Sequence, residues 1–178
     1  MGYFIDKNVK LVGECVIGDG TRILGSSIIE NSTIGDNVLI SDSHITESVI
    51  ENDVKIGPYA NLRKGSHICQ GVKIGSFVEI KNSTIGAHSK VPHLSYVGDA
   101  TIGERVNVGC GVVFANYDGK VKRRSEIGND VFIGCNVNIV APVKIADKTY
   151  ICAGTTVTKD TDEGDFVIGR TRQENKKR

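Results

Sequence analysis

The chain of 178 residues has no tryptophan, one methionine and three prolines, and only 6% of it is aromatic. That composition does not fill a bulky globular core, but it suits many short strands joined at tight corners. No hydrophobic run is long enough to span a bilayer, and residues 1–10 lack the apolar segment of a secretory signal, so the cytoplasm is the expected location, with no membrane partner. The five cysteines are an odd number with no C-x-x-C spacing, which excludes a disulfide framework and a zinc ribbon and leaves reduced thiols as the expectation. A net charge of +1 provides no global field to recruit nucleic acid. The length suits one domain.

What the chain does have is 21 glycines and a ruler of aliphatic anchors. From Ile5 the anchors run Leu11, Ile17, Ile23, Ile28, Ile34, Ile40, and so on to Phe114, then resume at Ile127 and continue to Val157. Of the twenty-five steps, nineteen are six residues, five are five, and one is thirteen. Glycine often follows the anchor, as at Gly18, Gly57, Gly86 and Gly128, where a backbone must turn beside a short strand. Six is neither a helical period nor simple strand alternation; it reads as a hexapeptide repeat in which each hexad forms one face of a parallel β-helix. Three hexads complete a triangular coil and advance the chain by about 4.8 Å. The string Gly18 to Ile23 looks like a phosphate-binding loop of sugar nucleotidyltransferases, but it falls in register between Ile17 and Ile23 and is part of the repeat. The predicted organisation is a β-helix over residues 1–160, a loop over 115–126 that leaves the rod at the thirteen-residue step, and a basic tail over 161–178.

Counting every third anchor places Pro58, Ser76, His93, Cys110, Cys135 and Ala153 in one column, a groove of small side chains with a histidine in it. Small residues are also what tight corners require. On the next face Arg63 and Lys81 stack one strand spacing apart, where two cations repel by about 1 kcal/mol even in water unless an anion lies between them. Two solvent-facing cations are the plainer reading. Tyr96 and Asn107 each stand one place before an anchor. The loop carries Lys120, Lys122, Arg123 and Arg124, and an excursion from a solenoid is more often functional than a coil is.

The strings IGPYANLRKG, IGSFVEIKNSTIG, HLSYVGDATIGERVNVGCG, NYDGK, GCNVNIVAPV and AGTTVT resemble the C-terminal acetyltransferase domain of the bacterial bifunctional GlmU family. The resemblance covers nearly the whole chain, although residues 1–55 show only the generic repeat. It implies an all-β, left-handed parallel β-helix that moves the acetyl group of acetyl-CoA to the amine of glucosamine 1-phosphate, giving N-acetylglucosamine 1-phosphate for UDP-GlcNAc and cell-wall synthesis. By the same resemblance His93 is the general base, while Arg63, Lys81, Tyr96, Asn107 and Lys122 hold the sugar phosphate. Cys110, Asn116, Tyr117, Cys135, Ala153 and Arg170 border acetyl-CoA, the co-substrate. The family is trimeric, with sites between adjacent rods, and no metal is expected for this domain. Its N-terminal uridyltransferase domain has no counterpart in this stretch.

An ammonium cannot attack a thioester, so a base is needed, and imidazole titrates near neutrality. Direct attack needs no acyl-enzyme, although Cys110 and Cys135 are conceivable nucleophiles. Pro92 departs from the family by preceding the histidine with a restricted residue. Three alternatives share the repeat: an acetyltransferase for another amino sugar, a zinc carbonic anhydrase using histidines such as His67, His88 and His93, and an ice-binding or structural rod, which the charged positions disfavour.

Overall fold

The computed structural model describes residues 2–169 and 172–176. Among them lie twenty-seven strands of two to four residues and no helix. Strands hydrogen-bond in parallel to the third strand before and after them, except that the last, Phe166–Val167, pairs with the second before it, so the chain winds three sheets of ten, nine and eight strands into a left-handed parallel β-helix. We number the sheets one, two and three in the order the chain first reaches them, at Phe4–Ile5, Lys10–Val12 and Val16–Ile17.

The anchors form three interior columns. Ile23, Ile40, Ile56 and Ile74 stack in sheet one, Leu62, Ile80 and Val97 in sheet two, and Ile50, Ile68 and Ile85 in sheet three, each with no more than 2% of its surface exposed. Fully burying one such side chain is worth roughly 1.5–3 kcal/mol, so the rod is held by stacked columns rather than by a central cluster. In the first coil Leu11 is 44% exposed. The spacing predicts Ile28 as an anchor, and the structure corrects this. Ile29 is fully buried and stands in register with Leu11 and Ile45, whereas Ile28 is half-buried. Successive residues of a strand face opposite sides, so only one of the two isoleucines can point inward. The five-residue step therefore falls at the following corner, where Asn31 adopts a φ of 44°.

Most corners turn on a residue with positive φ. In most six-residue steps it stands three places after the anchor, as at Asn37, Asp53 and Asn136, and in five-residue steps two places after, as at Asp42, Asn82 and Asp99. Asparagine and aspartate tolerate this left-handed region better than other residues with a side chain. A second column, two places before the anchors, was not read from the sequence and consists of small residues, many of them buried serines. Ser43 donates through Oγ to the Ser41 carbonyl at 2.7 Å and accepts from the Ala60 amide at 3.1 Å; Ser27 and Ser83 likewise donate to a carbonyl and accept an amide, and Ser48 donates to the Thr46 carbonyl. These hydroxyls satisfy backbone groups that a corner leaves without strand partners.

The thirteen-residue step leaves the rod between Ala115 and Ser125, and the coil resumes with Ile127 over Ile102. At the other end the coil extends into the segment 161–178, where Phe166–Val167 pairs with Tyr150–Ile151 and the Phe166 ring stacks on Tyr150 at 5.5 Å. Ser125 Oγ, where the loop rejoins sheet three, is buried without a hydrogen-bond partner, the only such side-chain atom among the described residues.

These hydroxyls make a paired prediction for urea unfolding. Ser43→Ala strands the Ala60 amide and should cost about 1–3 kcal/mol, whereas Ser125→Ala removes an orphan and should be neutral or stabilising by up to about 1 kcal/mol. Equal losses for the two variants would contradict this assignment.

Candidate active site

The register bears out the coil count behind the predicted site. Ser76 pairs with His93, Lys90 with Asn107, Asn107 with Phe132, and Phe132 with Tyr150, which carries the column from His93 through Cys110 and Cys135 to Ala153. His93 ends the strand Lys90–His93 at the corner between sheets one and two, with its side chain exposed and its carbonyl accepting from Ser95 Oγ at 2.8 Å. Pro92 belongs to the same strand, and its carbonyl lies so close to Gly75 that a Cβ there would sit 1.8 Å from it. The two strands can approach at this point only because residue 75 is glycine.

Arg63 and Lys81 are paired in register on sheet two and line a surface concavity of about 470 Å³ together with His44, Thr46, Asn61 and Lys64. Their mutual repulsion is already partly met by the protein. Arg63 Nη1 lies 2.7 Å from Glu79 Oε1, and Lys81 Nζ lies 3.8 Å from Asp99 Oδ1. Tyr96 projects from the same face, in register with Glu79, and its hydroxyl occupies the space that a Cβ on Gly98 would need.

The loop is organised rather than loose. Asp118 Oδ1 accepts from the amides of Lys120 and Val121 at 2.9 and 2.7 Å, Tyr117 bridges Lys122, and the Tyr117 hydroxyl donates to the Gly119 carbonyl. The Arg124 guanidinium staples its far end to the rod through Thr101 Oγ1 and the carbonyls of Asn82 and Ala100. At its near end Asn116 is buried and donates through Nδ2 to Asp99, which also accepts from Asn82 Nδ2 at 2.6 Å. Burial works to raise the Asp99 carboxyl, but the amides of Asn82 and Asn116, followed by Lys81 and Lys122, outweigh it and hold the group below the usual carboxylate range. Asp99 thus joins a phosphate-site candidate, Lys81, to a loop candidate, Asn116. Sequence inspection overlooks it, although each of its two asparagine partners stands seventeen residues away, one coil in this part of the chain.

The rod does not gather all the predicted residues onto one face. Arg63, Lys81 and Tyr96 lie on sheet two; His93, Cys110, Cys135 and Ala153 follow the corner between sheets one and two; Asn107 faces outward from sheet one. Asn116, Tyr117 and Lys122 belong to the loop at the corner between sheets two and three. Arg170 lies outside the described residues. Among the described residues no helix is long and apolar enough to cross a membrane.

The coil register and repeats define a hexapeptide-repeat protein, and the family model for the bacterial transferase hexapeptide (six repeats) matches residues 47–82 and 124–159. More narrowly, the chain is a relative of the bifunctional GlmU proteins. It is 51% identical to that of Listeria welshimeri over 172 residues, which are 97% of this chain and 38% of that protein. To that of Acetivibrio thermocellus it is 49% identical over 159 residues, 89% of this chain and 33% of that protein. The chain therefore spans little more than a third of the length of these relatives. A UDP-N-acetylglucosamine acyltransferase from Campylobacter jejuni shares the fold, with a TM-score of 0.62 at 17% identity over 88% of this chain and 68% of that one.

The Asp99 cluster has a pH signature. Because its folded pKa is depressed, its contribution to stability is present above the unfolded value of about 3.9 and is lost as pH falls through the lower folded value. Asp99→Asn should therefore cost about 1.5–3 kcal/mol at neutral pH, and its deficit relative to wild type should shrink below about pH 4. Chemical unfolding at pH 7 and pH 3 measures both, and a deficit independent of pH would refute the assignment.

Proposed function

We infer that the chain is an acetyltransferase that uses acetyl-CoA and acts on the amine of glucosamine 1-phosphate, in the cytoplasm, to supply N-acetylglucosamine 1-phosphate for UDP-GlcNAc and cell-wall synthesis. The observation that carries this reading is the register that stacks Arg63 on Lys81 and sets His93 in line with Cys110, Cys135 and Ala153. Kinship with the bifunctional GlmU proteins supports the pair of substrates. In this reading the two cations bind the sugar phosphate, and the column of small side chains receives the pantetheine arm of the coenzyme. Tyr96, Asn107 and Lys122 complete the sugar site; Asn116, Tyr117 and Arg170 border the coenzyme.

The chemistry is one acyl transfer. The substrate ammonium gives a proton to the His93 imidazole, and the freed amine attacks the thioester carbonyl. The resulting tetrahedral oxyanion is stabilised by backbone N–H donors. As it collapses, the carbon–sulfur bond breaks, the coenzyme leaves as a thiol that takes up the proton the imidazole carries, and the second proton of the attacking nitrogen passes to solvent, leaving the neutral amide. No bond to Cys110 or Cys135 forms.

A homotrimer with sites between rods follows from the same reading. One rod distributes the proposed groups over two sheets and two corners, so neighbouring rods are needed to bring them together. Beside His93 the corner residues Tyr59, Phe77 and Leu94 form a ridge of side chains 59–63% exposed, the first two rings stacked at 5.5 Å. All three have positive φ, a conformation that costs a residue with a Cβ roughly 1–2 kcal/mol, and an exposed apolar ridge kept at that cost fits burial against another copy.

Two measurements test this. With glucosamine 1-phosphate as acceptor, His93→Ala should lower the rate of coenzyme thiol release by about 10²–10⁴-fold; an unchanged rate removes His93 from its role, and a faster reaction with glucosamine 6-phosphate or a nucleotide sugar changes the acceptor. In analytical ultracentrifugation the native chain should sediment as a trimer and Phe77→Asp as a monomer. A monomeric native chain would leave the ridge without this role.

A further inference from the structure

Sheet three, the face to which the proposed function assigns no residue, carries a cluster of a different chemistry. One place after each anchor in this sheet stand Gly18, Gly35, Glu51, Cys69, Gly86, Gly103, Gly128 and Ala146. The glycines are required by close approach of successive coils. A Cβ on Gly35 would lie 2.4 Å from Asn52 Oδ1 and 2.9 Å from the backbone of Glu51, and one on Gly86 would lie 2.4 Å from the backbone of Gly103. Two consecutive coils break this column with full side chains, and both side chains carry metal-donor atoms.

His67 completes the set from the strand His67–Ile68, which pairs with Val49–Ile50. One donor atom each from Glu51, His67 and Cys69 lies within 4.8 Å of the others, and all three residues are half-buried. His67 Nε2 is 2.8 Å from Glu51 Oε1, and Glu51 Oε2 accepts from the Gln70 amide at 2.9 Å, which fixes the carboxylate. We propose that Glu51, His67 and Cys69 form a binding site for a divalent ion of the zinc class, clasping two adjacent coils on the outer face of the rod.

Thiolate, imidazole and carboxylate are the donors zinc accepts, at about 2.3, 2.0–2.1 and 2.0–2.2 Å, and a tetrahedral ion with three protein ligands keeps its fourth position for water. Donors bound at those lengths stand roughly 3.3–3.7 Å apart, so the side chains need only small rotations about a backbone that already holds them together. In the metal-free protein, burial first and the Glu51 carboxylate second push the Cys69 thiol up to about 11, so it keeps its proton. Binding breaks that S–H bond, forms a metal–sulfur bond and releases the proton to solvent; the imidazole binds as its neutral form, and no electron is transferred. Asp53, 3.1 Å from the Gln70 side-chain amide, and Glu104, which acts on the thiol through space, add negative charge around the cluster.

Cobalt(II) titration of the full chain, purified with chelator, tests the proposal. The expected result is one equivalent bound, with a near-ultraviolet thiolate-to-cobalt band and the visible absorption of a tetrahedral ion, both removed stoichiometrically by zinc. Cys69→Ser should abolish the thiolate band, and Glu51→Gln and His67→Gln should each weaken binding by about tenfold or more. A variant with Cys15, Cys110, Cys135 and Cys152 all replaced by serine should keep the band, which separates this site from the thiols of the proposed coenzyme column. No thiolate band in the wild type, or a band that survives Cys69→Ser, overturns the proposal. Acetyl transfer does not enter the readout, so failure here and failure of the proposed activity are distinguishable.

Discussion

The fold depends on how a chain of left-handed coils closes most of its corners with one residue in a conformation most side chains resist. The aliphatic columns provide the favourable free energy, but they can stack only if each corner returns the strand to the same depth. Most six-residue steps use the third residue after the anchor for this turn, and the five-residue steps use the second. Asparagine, aspartate and glycine fill most of these positions because they suffer least there. Where tyrosine, phenylalanine and leucine do so in succession, local preference is overridden, and the override lies next to His93.

The repeat was readable because burial in a rod is periodic along the chain, and a period survives ignorance of every contact. It placed the loop at the one long step and set Arg63 under Lys81 and His93 under Cys110. It failed where two isoleucines stand side by side, because hydrophobicity does not tell which of Ile28 and Ile29 faces inward; the placement of the short corner decides that. The serine column was illegible for a related reason. A serine in a sequence reads as solvent-facing, and only the coil above shows that its oxygen accepts a buried amide.

The chemistry of the candidate site was legible as a set of residues and not as an arrangement. Glu79 and Asp99 passed unnoticed although they partner the two cations, because a carboxylate gains its meaning here from neighbours on adjacent coils. In the sequence His67 stands out only as one of three histidines a zinc enzyme could use, and Cys69 only as one of five reduced thiols. The count that aligns the proposed coenzyme column also aligns them with Glu51, on a face that carries none of the groups proposed for acetyl transfer.

The excursion between Ala115 and Ser125 leaves no trace on the coils around it, since Ile127 stands over Ile102 as though nothing had intervened. Length errors in this architecture are thus absorbed where they arise and are never passed on as a change of phase. A helix bundle or a closed barrel has no such forgetfulness, because one added residue rotates or shears everything downstream. A rod of this kind can acquire an appendage at any bend while the rest of its surface keeps its address.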